Sequence, residues 1–340
     1  MQSSKSKPEV SIIVCHHLGD FIYKFVESVK ASTFTDYEII VITSDEKLAT
    51  NGIKGCVTFH STAMPAEKRN IGSRLAKGKY LAFFDDDVEV TQDCLYFLRQ
   101  AFDKYKKIGM VYGKLYNMEH RNRFDEAGGF ITSTGFIWSR AGQNEIDRGQ
   151  YDEPELIFSG KSASCMIRRD VFEKIGGFDD DFEILGEESD LSWRVWLSGF
   201  HVLWEPNSVA YHAFNTKFKP AEKFYTSKRV QYNGCRNYIT MLVKNLEWRN
   251  LWKMLIIQYL VWTYAAIAMI ITGKANQGLN ILKGLGYTLR KASYILEKRK
   301  KIQERRVVSD KDIWPNIFRR TPAGYYRQRF IRYLKIGLHG

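Results

Sequence analysis

The stretch RNIGSRLAKGKYLAFFDDD, residues 69–87, decides the fold class of this 340-residue chain. It begins inside a helical pattern that is expected to end near Gly78, continues into the apolar run KYLAFF, and closes in the aspartates of 85–87. Three adjacent carboxylates repel one another, and the end of a strand has no structural need for them. The pattern therefore predicts a strand whose end holds a cation.

Short apolar runs precede this stretch at regular intervals. Residues 10–14 (VSIIV) form a short apolar, β-branched run, 37–43 (YEIIVIT) are typical of a buried strand, and 54–60 (KGCVTFH) indicate a third strand. Phe21, Phe25 and Val29 recur at helical spacing between the first two runs. Strands that alternate with helices favour a mostly parallel central sheet with helices on both faces. Ligands bind beyond the carboxyl ends of such strands, where Asp45 and residues 85–87 lie.

The chain after this sheet is less regular. Residues 112–151 are rich in glycine, and we expect loops and short strands that cover a site. The segment EESDLSWRVWLSGF predicts an amphipathic helix that ends at Gly199, and HVLWEPNSVAYHAF predicts one or two closing strands.

The aspartates suit a divalent cation. Alternate residues of an extended chain point the same way, so Asp85 and Asp87 are expected to face one site and Asp86 to face elsewhere. Mg²⁺ and Mn²⁺ prefer oxygen ligands, and Mg²⁺ commonly links carboxylates to substrate phosphates. The alternative is a solvated acidic turn, or a cap for a helix that starts near Thr91.

Three motifs follow one another in the order typical of one enzyme family. With RNIGSRLAKG and the aspartates come GEESDLSWR and, further on, VAYHAF. Residues 9–245 thereby resemble the family 2 glycosyltransferases of the GT-A fold, and among them membrane-associated, rhamnosyltransferase-like enzymes. The family motifs read approximately RNxGxxxAxG…DxD, then EDxDxxxR, then a histidine. They fall here on Arg69, Asn70, Gly72, Asp85, Asp87, Glu187, Glu188, Asp190, Arg194 and His212.

The resemblance implies an inverting transfer of a sugar from a nucleotide-diphosphate donor to a hydroxyl of a saccharide acceptor, with Mn²⁺ or Mg²⁺ as cofactor. It implies a proton acceptor at Glu188, where the family has Asp, with Asp190 as the competing candidate. It further implies metal ligands, donor-binding residues and acceptor-binding residues. These are Asp85, Asp87 and His212 for the metal; Asp45, Arg69, Asn70, Asp85 and Asp86 for the donor; and Lys161, Glu187 and Trp193 for the acceptor.

Each of these residues also has an ordinary structural explanation. Acids favour a helix N-terminus, so the cluster around Glu188 fits a helix start as well. His212 fits a strand histidine, Asp45 a polar turn and Lys161 a surface lysine. Trp193 fits the core of the protein at least as well as a sugar-binding platform.

The net charge of +13 is confined to one end of the chain. Residues 274–340 contain 17 Lys/Arg and 4 Asp/Glu, whereas residues 1–273 contain 34 of each sign. A neutral body with a basic tail indicates attraction to a polyanion, either anionic lipid or nucleic acid. We expect no secretory signal and, from five scattered cysteines, reduced thiols in the cytosol.

Residues 254–273, MLIIQYLVWTYAAIAMIITG, form 20 residues without a charge, which is the length needed to span a bilayer. The basic tail is expected on the cytoplasmic side of a membrane, and the catalytic body needs nucleotide-sugars, which are cytosolic. A single crossing would place one of the two on the wrong side, so a hairpin, a re-entrant segment or an in-plane helix fits better. The alternative is a buried helix. We therefore divide the chain into a catalytic domain (9–226) and a basic helical region (227–340) that docks on an anionic membrane surface at the cytoplasmic face, with a lipid-linked acceptor.

Two other functions compete with glycosyl transfer. A nucleotidyltransferase that makes sugar nucleotides also uses carboxylate-bound Mg²⁺, but it needs a glycine-rich, lysine-bearing loop after the first strand, and CHHLGD is not such a loop. Nucleic-acid binding through the basic tail would leave the ordered carboxylates unexplained, and we expect none. The oligomeric state stays open.

Overall fold

The computed structural model describes residues 7–17, 19–142, 144–213, 227–320 and 324. A central sheet of ten strands is flanked by helices, which confirms the predicted α/β class. The order along the main path of the sheet is β10-β12-β6-β11-β4-β1-β2-β3, while β5 pairs with β12 and β7 with β6. Buried apolar side chains cover both faces of the sheet, so helices are needed on each side.

The first half of the chain forms the parallel part of the sheet. Strands β1, β2, β3 and β4 pair in parallel, as the apolar runs predicted. Helix α3 packs closely on β1 because Gly72 faces Ile13, where an added Cβ would lie 2.4 Å from Ile13 Cγ2. The elements are β1 (Val10–His16), α1 (Phe21–Lys30), β2 (Tyr37–Thr43), α2 (Glu46–Asn51), β3 (Cys56–His60), α3 (Pro65–Leu75), β4 (Tyr80–Asp85), β5 (Val88–Val90) and α4 (Cys94–Lys104).

The second half adds antiparallel strands and one strand that the sequence did not reveal. Residues 112–151 were expected to be irregular, but a ten-residue strand, β6, runs into this region and lies in the middle of the sheet. Gly113 interrupts its apolar pattern because Ser208 of a neighbouring strand approaches too closely for a Cβ. The elements are β6 (Ile108–Asn117), β7 (Phe124–Glu126), β8 (Gly129–Ile131), β9 (Ile137–Ser139), β10 (Glu155–Leu156), β11 (Ser164–Arg168), α5 (Arg169–Ile175), α6 (Glu187–Leu197) and β12 (His201–His212).

Five helices follow in the described part of the C-terminal region, 227–320. They are α7 (Lys228–Asn245), α8 (Trp248–Ile271), α9 (Ala275–Arg290), α10 (Ala292–Glu304) and α11 (Asp310–Ile317). Helix α7 packs against α6, and α8 and α9 pack against α7. Helix α8 is long and apolar enough to cross a membrane, and a third of its most apolar stretch is buried in the protein. The predicted boundary at 226/227 adjoins residues 214–226, which lie outside the described residues, and it stays a prediction.

Candidate active site

Two aspartates and a histidine meet at the carboxyl end of β4. The antiparallel pairing of β5 with β12 places His212 opposite Val88, next to the aspartates that close β4. One ligand atom from each of Asp85, Asp87 and His212 lies within 4.8 Å of the others. The sheet thus assembles the three predicted metal ligands from positions 125 residues apart.

The chemistry of these ligands fits a divalent ion. Two carboxylates and one imidazole offer hard oxygens and one nitrogen, which suits Mn²⁺ or Mg²⁺ better than a soft metal. Asp87 and His212 are almost fully buried, whereas a third of the Asp85 side chain is exposed. His212 Nε2 lies 3.4 Å from Asp87 Oδ1, so the imidazole and this carboxylate adjoin each other in the buried part of the site.

Asp125 forms a hydrogen bond with the ring nitrogen of His212 that lies away from Asp87, and the sequence analysis did not predict this residue. Its Oδ2 lies 2.8 Å from His212 Nδ1 and accepts a hydrogen bond of 2.9 Å from Lys161 Nζ. Burial disfavours charge on the imidazole, but the Asp125 and Asp87 carboxylates outweigh it and raise the pKa of His212 to about 10. Burial opposes charge on Asp125 too, yet Lys161 and His212 hold its pKa below the usual range. The acid in FDEAGG was the only sequence signal.

Asp86 points away from the metal ligands, as the alternation predicted. Its Oδ2 accepts a hydrogen bond from the backbone N–H of His17 and lies 3.8 Å from His16 Nε2. His16 Nδ1 in turn lies 2.7 Å from Thr43 Oγ1, which accepts a hydrogen bond from the backbone N–H of Asp45. The ends of β1, β2 and β4 are therefore joined on the expected donor side of the site.

Asp45 and Lys68 belong to this edge of the sheet. Asp45 Oδ1 caps α2 by accepting hydrogen bonds from the backbone N–H groups of Lys47 and Leu48, so its donor-binding role stays a prediction. Lys68 was not predicted: its buried Nζ donates to His16 O and to Ser44 Oγ. Burial lowers the pKa of Lys68. A lysine here, beyond the carboxyl ends of β1 and β2, lies where a phosphate would be expected.

Arg69 joins the aspartates to the later acidic helix. Its Nη2 donates to Asp85 Oδ1 at 2.9 Å and its Nη1 to Glu187 Oε1 at 3.2 Å. Only 3% of Arg69 and 8% of Glu187 is exposed. Arg69 thus positions Asp85, and Glu187 holds Arg69. The donor contact of Arg69 and the acceptor contact of Glu187 stay predictions.

Asn70 also has a structural role in place of the predicted donor contact. Its Nδ2 donates to Phe178 O and to Asp180 Oδ1, and its Oδ1 accepts from the backbone N–H of Phe178. The side chain is thus occupied in holding the turn after α5 against α3.

A cavity of about 270 Å³ opens beside Glu188, at the start of α6. Glu188 is partly exposed to it, and Lys161 lines the same cavity, as do Glu126 and Tyr238. Burial and the neighbouring Glu187 carboxylate raise the pKa of Glu188 well above its ordinary value. Burial likewise raises the pKa of Glu126, which the sequence analysis missed. A carboxylate with a raised pKa in a polar cavity has the properties of a general base.

Asp190, the competing candidate for the base, is surrounded by protein groups. It is fully buried, and its Oδ2 accepts from Arg194 Nε at 2.9 Å. Its Oδ1 accepts from Asn245 Nδ2 and lies 2.9 Å from Lys244 Nζ. Both oxygens are held by cations or amides, so Asp190 fastens α7 to α6, and these contacts favour Glu188 over Asp190 as the base.

Trp193 lies in the core rather than in the acceptor cavity. Its side chain is fully buried, and its ring meets that of Phe158 edge-on at 5.2 Å. The predicted acceptor contact of Trp193 is therefore wrong, and the core explanation holds. Lys161 remains at the cavity, where its acceptor role stays a prediction.

The fold, together with the cluster of Asp85, Asp87 and His212, is typical of GT-A glycosyltransferases. Residues 11–176 match the family model described as Glycosyl transferase family 2. Residues 11–176 therefore form a family 2 glycosyltransferase domain, as the motifs predicted. A relative among characterised proteins is the O-antigen biosynthesis protein RfbC of Myxococcus xanthus, 26% identical over 217 residues, which are 58% of this chain and 17% of the relative.

Solved structures support the fold. GalNAc-T7, in a crystal structure with UDP, GalNAc and Mn²⁺, superposes with a TM-score of 0.56 at 17% identity over 84% of this chain and 58% of that chain. The mannosyltransferase PcManGT from Pyrobaculum calidifontis, in complex with GDP-Man and Mn²⁺, gives 0.50 at 12% identity over 84% and 88%. The chain spans about half or less of the length of the curated relatives it matches.

Proposed function

We propose that this chain transfers a sugar from a nucleoside-diphosphate donor to a hydroxyl of a saccharide acceptor, with inversion at the anomeric carbon. The observation that supports this most directly is the chain of contacts between the metal ligands and the cavity. Arg69 links Asp85 to Glu187, and the next residue, Glu188, lines the cavity. A donor diphosphate beside the aspartates and an acceptor beside Glu188 would meet there.

Inverting sugar transfer forms one bond and breaks one bond at the anomeric carbon. The acceptor oxygen forms a bond to the anomeric carbon while the bond from that carbon to the diphosphate oxygen breaks. The proton of the acceptor hydroxyl passes to the Glu188 carboxylate, and the nucleoside diphosphate leaves. An ion held by Asp85, Asp87 and His212 would supply positive charge to the leaving diphosphate. A base opposite the leaving group favours a single displacement, and so inversion.

Support for the donor and the ion comes from the structural neighbours. Their structures contain UDP or GDP-Man together with Mn²⁺. Lys68 and the residues at the ends of β1, β2 and β4 form the polar edge on which we place the nucleotide part of the donor. The two carboxylates suit both Mn²⁺ and Mg²⁺, so both ions belong in the assay.

The acceptor we propose is a saccharide carried on a lipid, as an intermediate of an envelope glycan. The O-antigen biosynthesis protein among the relatives supports this class. The cavity beside Glu188 is compatible with a saccharide, since hydroxyl, amide and carboxylate groups lie in its wall next to apolar side chains. Such an acceptor would place the enzyme at the cytoplasmic face of the membrane, where nucleotide-sugars are available.

The proposal is tested by donor turnover and product stereochemistry. Purified protein is incubated with Mn²⁺ and a panel of UDP-, GDP- and dTDP-sugars, and release of nucleoside diphosphate is measured with and without saccharide acceptors. We expect turnover with one donor class, loss of turnover in Asp87→Ala, and an inverted anomeric proton signal in the product. Turnover that persists unchanged in Asp87→Ala, or a product with retained configuration, would overturn the mechanism.

A further inference from the structure

Helix α8 carries a continuous row of exposed apolar side chains. Six of them, here called the α8 ridge, follow one another at intervals of three or four residues, so they lie on one face of the helix. Between 48% and 78% of each residue is exposed, and single scattered apolar residues would not form such a row. The ridge consists of Trp252, Ile256, Leu260, Tyr264, Ile267 and Ile271.

The opposite face of α8 is fixed to the catalytic domain. Gln258, in the middle of the helix, is fully buried; its Nε2 donates to Thr134 O and its Oε1 accepts from Trp262 Nε1. Trp262 and Met269 are also fully buried, in a cluster with α7 and α9. A helix held along its length by the protein cannot cross a bilayer without taking the domain with it. The structure therefore favours a helix that lies flat on a surface.

The charge around the ridge selects the kind of surface. Residues 248–296 contain no Asp or Glu and six Lys/Arg. Arg249 and Lys253 are exposed near the start of α8, and Lys283, Arg290 and Lys291 are exposed on or after α9. A second copy of the chain would bring the same positive charge to the contact and would be repelled. Anionic lipid headgroups around an apolar interior complement both the charge and the ridge.

We propose that the α8 ridge docks in the plane of an anionic membrane surface, with the ridge side chains in the interfacial region and the basic residues among the headgroups. Exposed Leu279, Leu282 and Leu289 extend the apolar surface along α9. The inference rests on the proposed function only for its biological purpose, which is access to a lipid-linked acceptor. The docking itself follows from the surface.

The docked helix also touches the wall of the acceptor cavity. Phe136 packs against Tyr238 at 5.3 Å and against Trp262 at 5.8 Å between ring centroids. Tyr238 lines the cavity beside Glu188, and Trp262 lies on the buried face of α8. Docking through α8 therefore sets the cavity at a fixed place relative to the membrane surface. The saccharide of a lipid-linked acceptor would then enter the cavity beside Glu188 while its lipid stays in the bilayer.

The experiment measures vesicle flotation of the full chain. Vesicles of phosphatidylcholine alone are compared with vesicles of equal parts phosphatidylcholine and phosphatidylglycerol. The ridge variant is Ile256→Asn/Leu260→Asn/Tyr264→Asn, and the matched control is Tyr23→Asn/Val57→Asn/Phe59→Asn, which changes exposed apolar residues elsewhere on the surface. We expect the wild type and the control to float with the anionic vesicles, and the ridge variant to bind at least about tenfold more weakly.

Further measurements separate the other outcomes. The part of the tryptophan fluorescence that is lost in Trp252→Phe should shift to the blue on vesicles and be quenched most by lipids brominated near the headgroup. Quenching of this part by deep bromines would indicate a spanning helix and overturn the in-plane geometry. Equal flotation of wild type and ridge variant, or a dimer in light scattering that the ridge variant abolishes, would overturn the proposal. Glycosyl transfer to a water-soluble acceptor should be unchanged in the ridge variant, so a failure of docking is distinguishable from a failure of the proposed function.

Discussion

His212 Nδ1 lies 2.8 Å from Asp125 Oδ2, so the predicted metal ligand is held by a carboxylate that belongs to a different strand. Histidines that bind metals commonly use their second nitrogen in this way, which fixes the ring and makes it a stronger ligand. Asp125 also accepts from Lys161 Nζ, and Lys161 lines the acceptor cavity. One carboxylate thereby connects the metal ligands with the acceptor side of the site.

Asp125→Asn should weaken the binding of Mn²⁺ by about 10- to 100-fold, because His212 loses the charge that orients it. Isothermal titration of Mn²⁺ without substrates measures this directly. Lys161→Met is the matched control, since it leaves the pair of Asp125 and His212 intact, and we expect its affinity for Mn²⁺ to change little. Equal affinities in Asp125→Asn and wild type would show that the carboxylate does not support the ligand.

Asp86 and Asp87 are neighbours whose side chains point in opposite directions, so a comparison of the two tests which aspartates bind the metal. Asp87→Asn should abolish measurable Mn²⁺ binding, because it removes one of two carboxylate ligands. Asp86→Asn should retain Mn²⁺ binding, since Asp86 faces His16 and His17 instead. Electron paramagnetic resonance of free and bound Mn²⁺ compares the two variants at identical charge. If Asp86→Asn loses the ion and Asp87→Asn keeps it, the assignment of the two side chains is reversed.

Much of this site could be predicted from the sequence because its signals are local. The end of β4 and the alternation within residues 85–87 follow from strand geometry, and they placed Asp85 and Asp87 correctly. His212 came from a motif, and only the pairing of β5 with β12 brings it to the aspartates. Asp125 had no local signal beyond being an acid in FDEAGG, since its role depends on contacts with Lys161 and His212, far along the chain.

The structural contacts of several motif residues have a common physical cause. Asn70, Glu187, Asp190 and Trp193 all lie in the motifs that the resemblance singled out, but a motif contains residues that build the site as well as residues that face it. Their burial and hydrogen bonds, which decide between these roles, are set by α6 and α7 packing together. The central strand β6 was missed for a similar reason. Glycine is required at position 113 because Ser208 approaches closely, and the local sequence does not reveal this contact.

Glu188→Gln should reduce kcat by about 10²- to 10⁴-fold while Mn²⁺ and donor affinity stay unchanged, because only the proton acceptor is lost. In the wild type, kcat/KM should rise with pH through the pKa of Glu188, which lies well above the ordinary range for a carboxyl group. The pH profile of the residual activity in Glu188→Gln should lack this rise. The measurement is a pH series of initial rates at saturating Mn²⁺. A normal kcat in Glu188→Gln would remove Glu188 from the mechanism.

The same raised pKa makes a prediction about stability. A carboxyl group whose pKa is higher in the folded than in the unfolded chain favours the native state at low pH, and this contribution is lost as the pH rises through the folded pKa. Glu188→Gln cannot ionise and escapes this loss, so its melting temperature should exceed that of the wild type at pH 8. Near pH 4 the two should converge. A lower melting temperature of Glu188→Gln at pH 8 would show that ionised Glu188 is not destabilising.

Asp190→Asn should unfold far more easily than the wild type, without a specific effect on chemistry. Its buried carboxylate neutralises Lys244 and Arg194, and removing one member of a buried charge cluster costs about 3–5 kcal/mol. Asp170→Asn is the control, because the pair of Asp170 and Arg168 lies at the surface and should contribute about 1 kcal/mol or less. Urea unfolding gives both free energies. If Asp190→Asn instead kept its stability and lost only kcat, Asp190 would return as the proton acceptor and the assignment of Glu188 would fall.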